Sequence, residues 1–173
     1  TDGRPATKEQ VQSLGAKFVA VEDDEFKQAQ TAAGYAKPMS PEYQAKQAEL
    51  VANHIKTQDI VITTALIPGR PAPRLITKAM VESMKPGAVI VDLAAERGGN
   101  CELTVPGQTV DVNGVTIAGP INLAGTVAVN ASSLYAKNLL AFLEVLIDKK
   151  EKALKIDWED DIVKGTLVAK DGK

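Results

Sequence analysis

The chain is poor in the residues from which most catalytic machinery is built. Its 173 residues include one histidine, His54, and one cysteine, Cys101. A lone histidine argues against a His-based metal site or a catalytic triad. A lone cysteine rules out an internal disulfide and suits a reducing compartment. No apolar run approaches the roughly 20 residues that span a bilayer. Charge of one sign is missing as well. Twenty Lys and Arg stand against 22 Asp and Glu, and a net charge of -2 argues against nucleic acid or an anionic membrane as the main partner. The chain opens Thr-Asp-Gly-Arg-Pro, with neither an initiator methionine nor a signal peptide, as though cut from the middle of something longer. It contains no G-x-G-x-x-G.

What is present is ordinary globular material: 45% hydrophobic and 24% charged residues, enough for one sizeable domain or one domain and a portion of another. Three helix–strand units are read in order. Thr7 to Gln10 fits a capping box, which predicts a helix ending near Gly15 and then a short strand, Lys17 to Val21. Ser40-Pro41 reads as an N-cap followed by proline in the first turn, opening a helix to about Lys56 before a strand, Asp59 to Thr63. Thr77 can cap a short helix with the apolar stripe Met80, Val81 and Met84, stopped by Lys85-Pro86-Gly87. Ala88 to Leu93 is nearly continuously apolar, as in a parallel strand covered on both faces. Turn signals at Pro106-Gly107 and Asn113-Gly114 frame two further short strands, the second Val115 to Ala118.

Residues 59 to 101 are the most informative stretch. Consecutive parallel strands place the loops that follow them on one edge of the sheet, the carboxyl edge, where open α/β sheets bind ligands. Thr63, Thr64, Ala65 and Leu66 leave the first strand with small or apolar side chains, so a ligand can approach the backbone. Pro68, Pro71 and Pro73 stiffen the loop beyond. Gly98, Gly99 and Asn100 supply flexible backbone and an amide beside it. The alternative is a pair of plain turns; the shared edge favours the ligand site.

Residues 22 to 40 have no clean period, and about 19 such residues exceed the usual ~12–15-residue ceiling for a structureless loop. A functional lid or a disordered segment is expected. Within it, Gly34-Tyr35-Ala36-Lys37-Pro38-Met39 sets one aromatic among small residues, suited to laying a ring on a planar ligand or to anchoring the loop. Ala131 to Lys150 predicts a long helix whose apolar residues cover more than half its circumference, and so a helix buried between two packed units. The tail is expected to form two short strands around an acidic turn, Glu159-Asp160-Asp161, in a separate unit. His54 reads as a surface residue and Cys101 as a packing residue.

At GYAKPM (34–39), ITTALIPGRPAP (62–73), PGAVIVDLAAERGGNC (86–101) and NASSLYAKNLL (130–140), the chain resembles the NAD(H)-binding component, or alpha subunit, of the proton-translocating transhydrogenases. The resemblance implies a Rossmann-like doubly wound parallel sheet lacking its first strand and glycine loop. Residues 1–130 would then be a partial NAD-binding domain, 131–150 an interdomain helix, and 151–173 strands of a second domain. It also implies NAD(H) as cofactor, with Asp2 accepting from the adenosine ribose and Gly3 and Arg4 beside it. On two residues of context alone, Asp2 reads as a solvated terminal carboxylate; the downstream match reverses that. Gly34, Tyr35 and Met39 would belong to a loop closing over the cofactor, and Thr64, Ala65, Leu66 and Asn100 would line the site. No catalytic residue and no metal ligand is assigned.

Hydride would pass to or from NADP(H) on a partner domain, coupled to proton movement through a membrane-spanning domain. This places a soluble chain, expected to be homodimeric, on the cytoplasmic or matrix face of a membrane complex. A missing N-terminal segment or companion chain would supply the phosphate-binding half. Ala124 and Thr126 stand where the family usually has Pro and Arg, and Gly3 where a bulkier residue is common. Two rival readings are an alanine dehydrogenase, which shares the fold and a similar Pro-Gly loop, and a non-catalytic NAD-binding fragment.

Overall fold

A computed structural model describes residues 1–29, 37 and 39–172. They divide into two compact units, Thr1–Ile121 and Asn122–Lys173.

In the first unit, helix α1 spans Ala6–Ser13 and begins on Pro5, whose φ of -57° starts the turn. The helix therefore opens earlier than a Thr7 cap requires. Thr7 lies inside the first turn and donates its hydroxyl to the Arg4 carbonyl at 2.7 Å, so the expected capping box does not form. Gly15, at φ 78°, ends the turn. Lys17 to Val21 is not a strand among the described residues. A strand exists only through its neighbour, and here the Val21 carbonyl accepts from the Tyr43 hydroxyl at 3.1 Å instead. The segment contributes Phe18 to a small core with Phe26 and Tyr43.

Helix α2, Asp24–Lys27, is capped by Asp23, which accepts from the Phe26 amide at 3.0 Å. Helix α3 runs Pro41–Ile55 from the Ser40 cap, as expected of Ser-Pro. Thr77 caps α4, Lys78–Glu82, and Met80 and Val81 face inward.

The sheet comprises β1 (Ile60–Thr63), β2 (Val89–Asp92), β3 (Thr109–Val112) and β4 (Val115–Ala118), in the order β1-β2-β4-β3. The β1, β2 and β4 strands are parallel; β3 runs antiparallel to β4. The β3–β4 turn places Asn113 at φ 53° and Gly114 at φ 80°, the left-handed pair that a two-residue hairpin turn requires. Ile90, Ile117, Val115 and Val81 are fully buried and pack with Ile55, Ile76, Met80 and Met84 into one core. Burying each such side chain is worth about 1.5–3 kcal/mol. This core fixes the register of β2 against both neighbours, and with it the edge where the three parallel strands end.

The second unit contains α5 (Leu123–Thr126), α6 (Ala128–Leu146), a two-strand pairing of β5 (Ile147–Asp148) with β6 (Ala153–Leu154), and α7 (Asp161–Thr166). Helix α6 stops at Leu146 because Ile147 turns extended and pairs with Leu154. None of its residues is buried, and Leu134 is 63% exposed. The expectation of a buried helix fails in this chain because an apolar face records a capacity for burial, not a partner. The tail also differs from expectation. Asp160 accepts from the Ile162 amide at 2.8 Å and the Val163 amide at 3.2 Å, so the acidic cluster starts a helix rather than solvating a strand turn.

Candidate functional site

The three parallel strands deliver their following loops to one edge, and two of those loops are laced together. Asn100 is fully buried and uses its whole amide for this. Its Oδ1 accepts from the Ala65 amide at 2.9 Å, and its Nδ2 donates to the Ala65 carbonyl at 2.9 Å and the Pro73 carbonyl at 2.8 Å. The Asn100 carbonyl in turn accepts from the amides of Leu75 and Ile76. The Ala72 amide donates to the Arg97 carbonyl at 2.8 Å, and the Arg74 guanidinium donates to the Cys101 carbonyl at 2.6 Å. The proline-stiffened loop after β1 is thereby fastened along its length to the loop after β2.

Asp92, which sequence reasoning missed, sits beneath this seam. It ends β2 and is fully buried. Oδ1 accepts from Thr63 Oγ1 at 3.1 Å and the Ala94 amide at 3.1 Å; Oδ2 accepts from the Cys101 amide at 2.9 Å and Thr104 Oγ1 at 2.6 Å. Four donors fill the roughly four lone-pair positions of a carboxylate. The only signal in the sequence was an acidic residue closing an otherwise apolar strand, VIVD.

Gly99 belongs to the same device. At φ 80° it occupies the left-handed region, and a Cβ there would meet Asp92 Oδ2 at 2.7 Å and Thr104 Cβ at 3.0 Å. Cys101 is buried beside it, and burial pushes its thiol above the ordinary range, so it is protonated and shielded rather than nucleophilic.

What this frame presents outward is a run of small or apolar side chains, with one hydroxyl. Thr64 and Leu66 are exposed and Ala65 is half-buried. The polar backbone of Ala65 is already paired to Asn100, so its amide and carbonyl are both held at this edge.

The other predicted positions lie apart in sequence and are held by different contacts. Asp2 accepts three hydrogen bonds from Arg4, two of them from the guanidinium at 2.9 Å. That guanidinium holds the Asp2 carboxyl below its usual range. Gly3, between them, is half-buried. Met39 lines a cavity of about 170 Å³ with Glu25, Gln28, Ala29 and Lys37. The ends of that segment are clasped: Ser40 Oγ donates to Glu25 at 2.6 Å, and the Lys37 amide donates to the Ala29 carbonyl at 2.7 Å. Gly34 and Tyr35 lie outside the described residues. His54 is exposed on α3. Among the described residues, no three His, Cys, Asp or Glu side chains group closely enough to hold a metal ion, and no helix is long and apolar enough to cross a membrane.

Residues 1–173 match the family described as alanine dehydrogenase/PNT, C-terminal domain. The chain belongs to that family. It is 56% identical over 172 residues to an NAD(P) transhydrogenase alpha-subunit chain of Rhodospirillum rubrum, covering 99% of this chain and 45% of that one. The crystal structure of transhydrogenase from Sinorhizobium meliloti superposes with a TM-score of 0.72 at 56% identity, over 93% of this chain and 40% of that one. An alanine dehydrogenase of Halomonas elongata is more distant, at 35% identity over 73% of this chain and 34% of its own length. The chain thus spans less than half the length of these relatives. Within the family, the mixed sheet with three parallel strands is the Rossmann-like α/β architecture expected from the sequence.

Proposed function

We propose that this chain forms the nicotinamide side of an NAD(H) site in a transhydrogenase, whose hydride partner is NADP(H) on another domain. The observation that carries the reading is 56% identity along 172 residues to a transhydrogenase alpha subunit, including the whole laced edge. The edge fits the group: exposed Thr64 and Leu66 flank a small Ala65, so a flat ring can lie close to a backbone that Asn100 and Asp92 keep from moving.

NAD(H), when bound, supplies a ring that gives or takes a hydride. The chain's own role is to bind, orient and exclude water. Hydride exchange between two nicotinamide rings needs no protein acid or base; it needs the reacting carbons held about 3–3.5 Å apart in a dry site. An edge whose central residue, Ala65, has its backbone held by Asn100 suits that task. Asp2 accepts from the adenosine ribose, with Gly3 and Arg4 beside it. Gly34, Tyr35 and Met39 belong to a segment that covers the cofactor. The assembly is a dimer on the cytoplasmic or matrix side of a membrane-spanning, proton-translocating partner.

The test is hydride exchange between NADH and an NADP⁺ analogue in the assembled complex, with Tyr35→Ala alongside. Exchange in the parent, and NADH binding weakened several-fold in the variant, is the expected result. Turnover of NADH with pyruvate and ammonium instead would assign the alanine dehydrogenase activity.

A further inference from the structure

The turn between β3 and β4 has the chemistry to modify itself. Asn113-Gly114 joins Val112 to its pairing partner Val115, with both turn residues in the left-handed region at φ 53° and 80°. Asn113 is exposed, so water reaches its side chain. Gly114 has no Cβ to shield its nitrogen from the amide carbon one residue back. That nitrogen can attack Cγ of Asn113. A C–N bond forms, the Cγ–Nδ2 bond breaks, and the Gly114 amide proton leaves with Nδ2 as ammonia. Water then opens the five-membered imide and returns a proton to the Gly114 nitrogen. Addition at Cγ leaves aspartate; addition at the main-chain carbonyl leaves isoaspartate, whose backbone runs through the former side chain.

The fold opposes the first step in two ways. The Gly114 amide donates to Asp111 Oδ1 at 3.1 Å. The nitrogen attacks only after losing that proton. A carboxylate is far too weak a base to take it, and its charge disfavours an anionic nitrogen beside it. Ring closure also needs rotation about the Asn113 Cα–C bond, out of the left-handed conformation, which the paired strands resist. The turn is held from a further side, since the Gly87 amide donates to the Gly114 carbonyl at 2.7 Å.

We propose that Asn113-Gly114 is a deamidation site of the folded protein, restrained by Asp111 and by the hairpin, so that conversion records how often this turn opens. It precedes β4 and so lies on the amino edge of the parallel strands, opposite the ligand edge. The damage falls on the sheet. Isoaspartate adds a carbon to the main chain, and the lengthened turn no longer keeps Val112 opposite Val115.

The experiment incubates the full-length polypeptide at neutral pH, native and in urea, as parent, Asp111→Ala, Asp111→Ser and Asn113→Gly. Peptide mass spectrometry reads amide-to-acid conversion at each asparagine, and enzymatic methylation counts isoaspartate. In the native parent, Asn113 should convert ahead of Asn53, Asn122, Asn130 and Asn138, and faster still in urea. Native Asp111→Ala should convert roughly threefold to tenfold faster than the parent, the factor that one exposed hydrogen bond supplies. Asp111→Ser, whose hydroxyl can still accept the bond, should fall between them, and all three should coincide in urea. Asn113→Gly keeps a left-handed turn and should form no isoaspartate there. Native conversion at Asn113 no faster than at the other asparagines overturns the site. Asp111→Ala that is no faster than the parent, or that stays faster in urea, overturns the restraint by Asp111. Circular dichroism confirms that each variant is folded.

Discussion

Replacing Asn100 is the sharpest test of the laced edge, because one amide joins two loops through three bonds to Ala65 and Pro73. Asn100→Ala removes all three and leaves an amide and two carbonyls without their partner. Neutral hydrogen bonds contribute about 0.5–1.5 kcal/mol each, and a buried group left unpaired costs about 1–3 kcal/mol. Ala65 and Pro73 are only half-buried, so water can replace some of what is lost. The expected cost is therefore about 2–4 kcal/mol rather than the full sum. Asn100→Asp is the more discriminating variant, since it has nearly the same shape. It keeps the acceptor for the Ala65 amide but points an oxygen at two carbonyl oxygens where a donor stood at 2.8 and 2.9 Å. Burial and those carbonyls both disfavour the charged form, so the new carboxyl titrates above its unfolded value of about 3.9. The sign follows. The variant is at its best below that value, where the acid can donate one bond, and it loses stability as pH rises through its raised folded pKa.

The assay is urea denaturation of the full-length polypeptide at pH 5 and pH 7, with NADH titration at pH 7. Both variants should unfold at lower urea, and the penalty for Asn100→Asp should be larger at pH 7 than at pH 5. NADH affinity should fall in both, because Ala65 is no longer held. A cost under about 0.5 kcal/mol for Asn100→Ala would mean that the seam holds without its amide and that the hydrogen-bond reasoning is wrong.

Two further outcomes are expected. Gly99→Ala should destabilise by about 2–4 kcal/mol, combining the left-handed backbone with displacement of Asp92 or Thr104, and thermal unfolding checks it. Cys101 should react with a thiol reagent at pH 8 at least about a hundredfold more slowly in the native protein than in urea, since access requires local opening. Because burial raises its folded pKa, the contribution of Cys101 to stability is intact below the ordinary thiol range and declines as pH climbs through the raised value, which a denaturation series from pH 7 to 10 would show.

The elements that could be read from sequence carry their reasons locally. Ser40-Pro41 starts α3 because a hydroxyl cap and a fixed φ need no distant partner. IVIT and VIVD became β1 and β2 because β-branched runs between turn signals have little alternative. KFVAV is equally apolar, yet it forms no strand, because pairing depends on a neighbour that local sequence does not name. Helix α6 was legible in outline and not in environment, for the same reason. At the edge, Thr64 to Leu66 and Asn100 stood out by composition. Asp92 did not, since its four partners come from positions 2 to 29 residues away and only the folded seam gathers them.

That gathering explains why a ligand edge can contain a buried carboxylate and still be chemically quiet. An acid or base must keep a lone pair or proton available to the substrate, and Asp92 accepts from four donors. Asn100 likewise spends both amide hydrogens on carbonyls of its own chain. Polar residues so completely paired hold position instead of reacting. If two flat rings are to exchange a hydride with no protein group involved, the wall behind them should be stiff and dry, with its polar atoms turned inward. The Asp2–Arg4 pair is the exception, partly exposed and with acceptor capacity to spare.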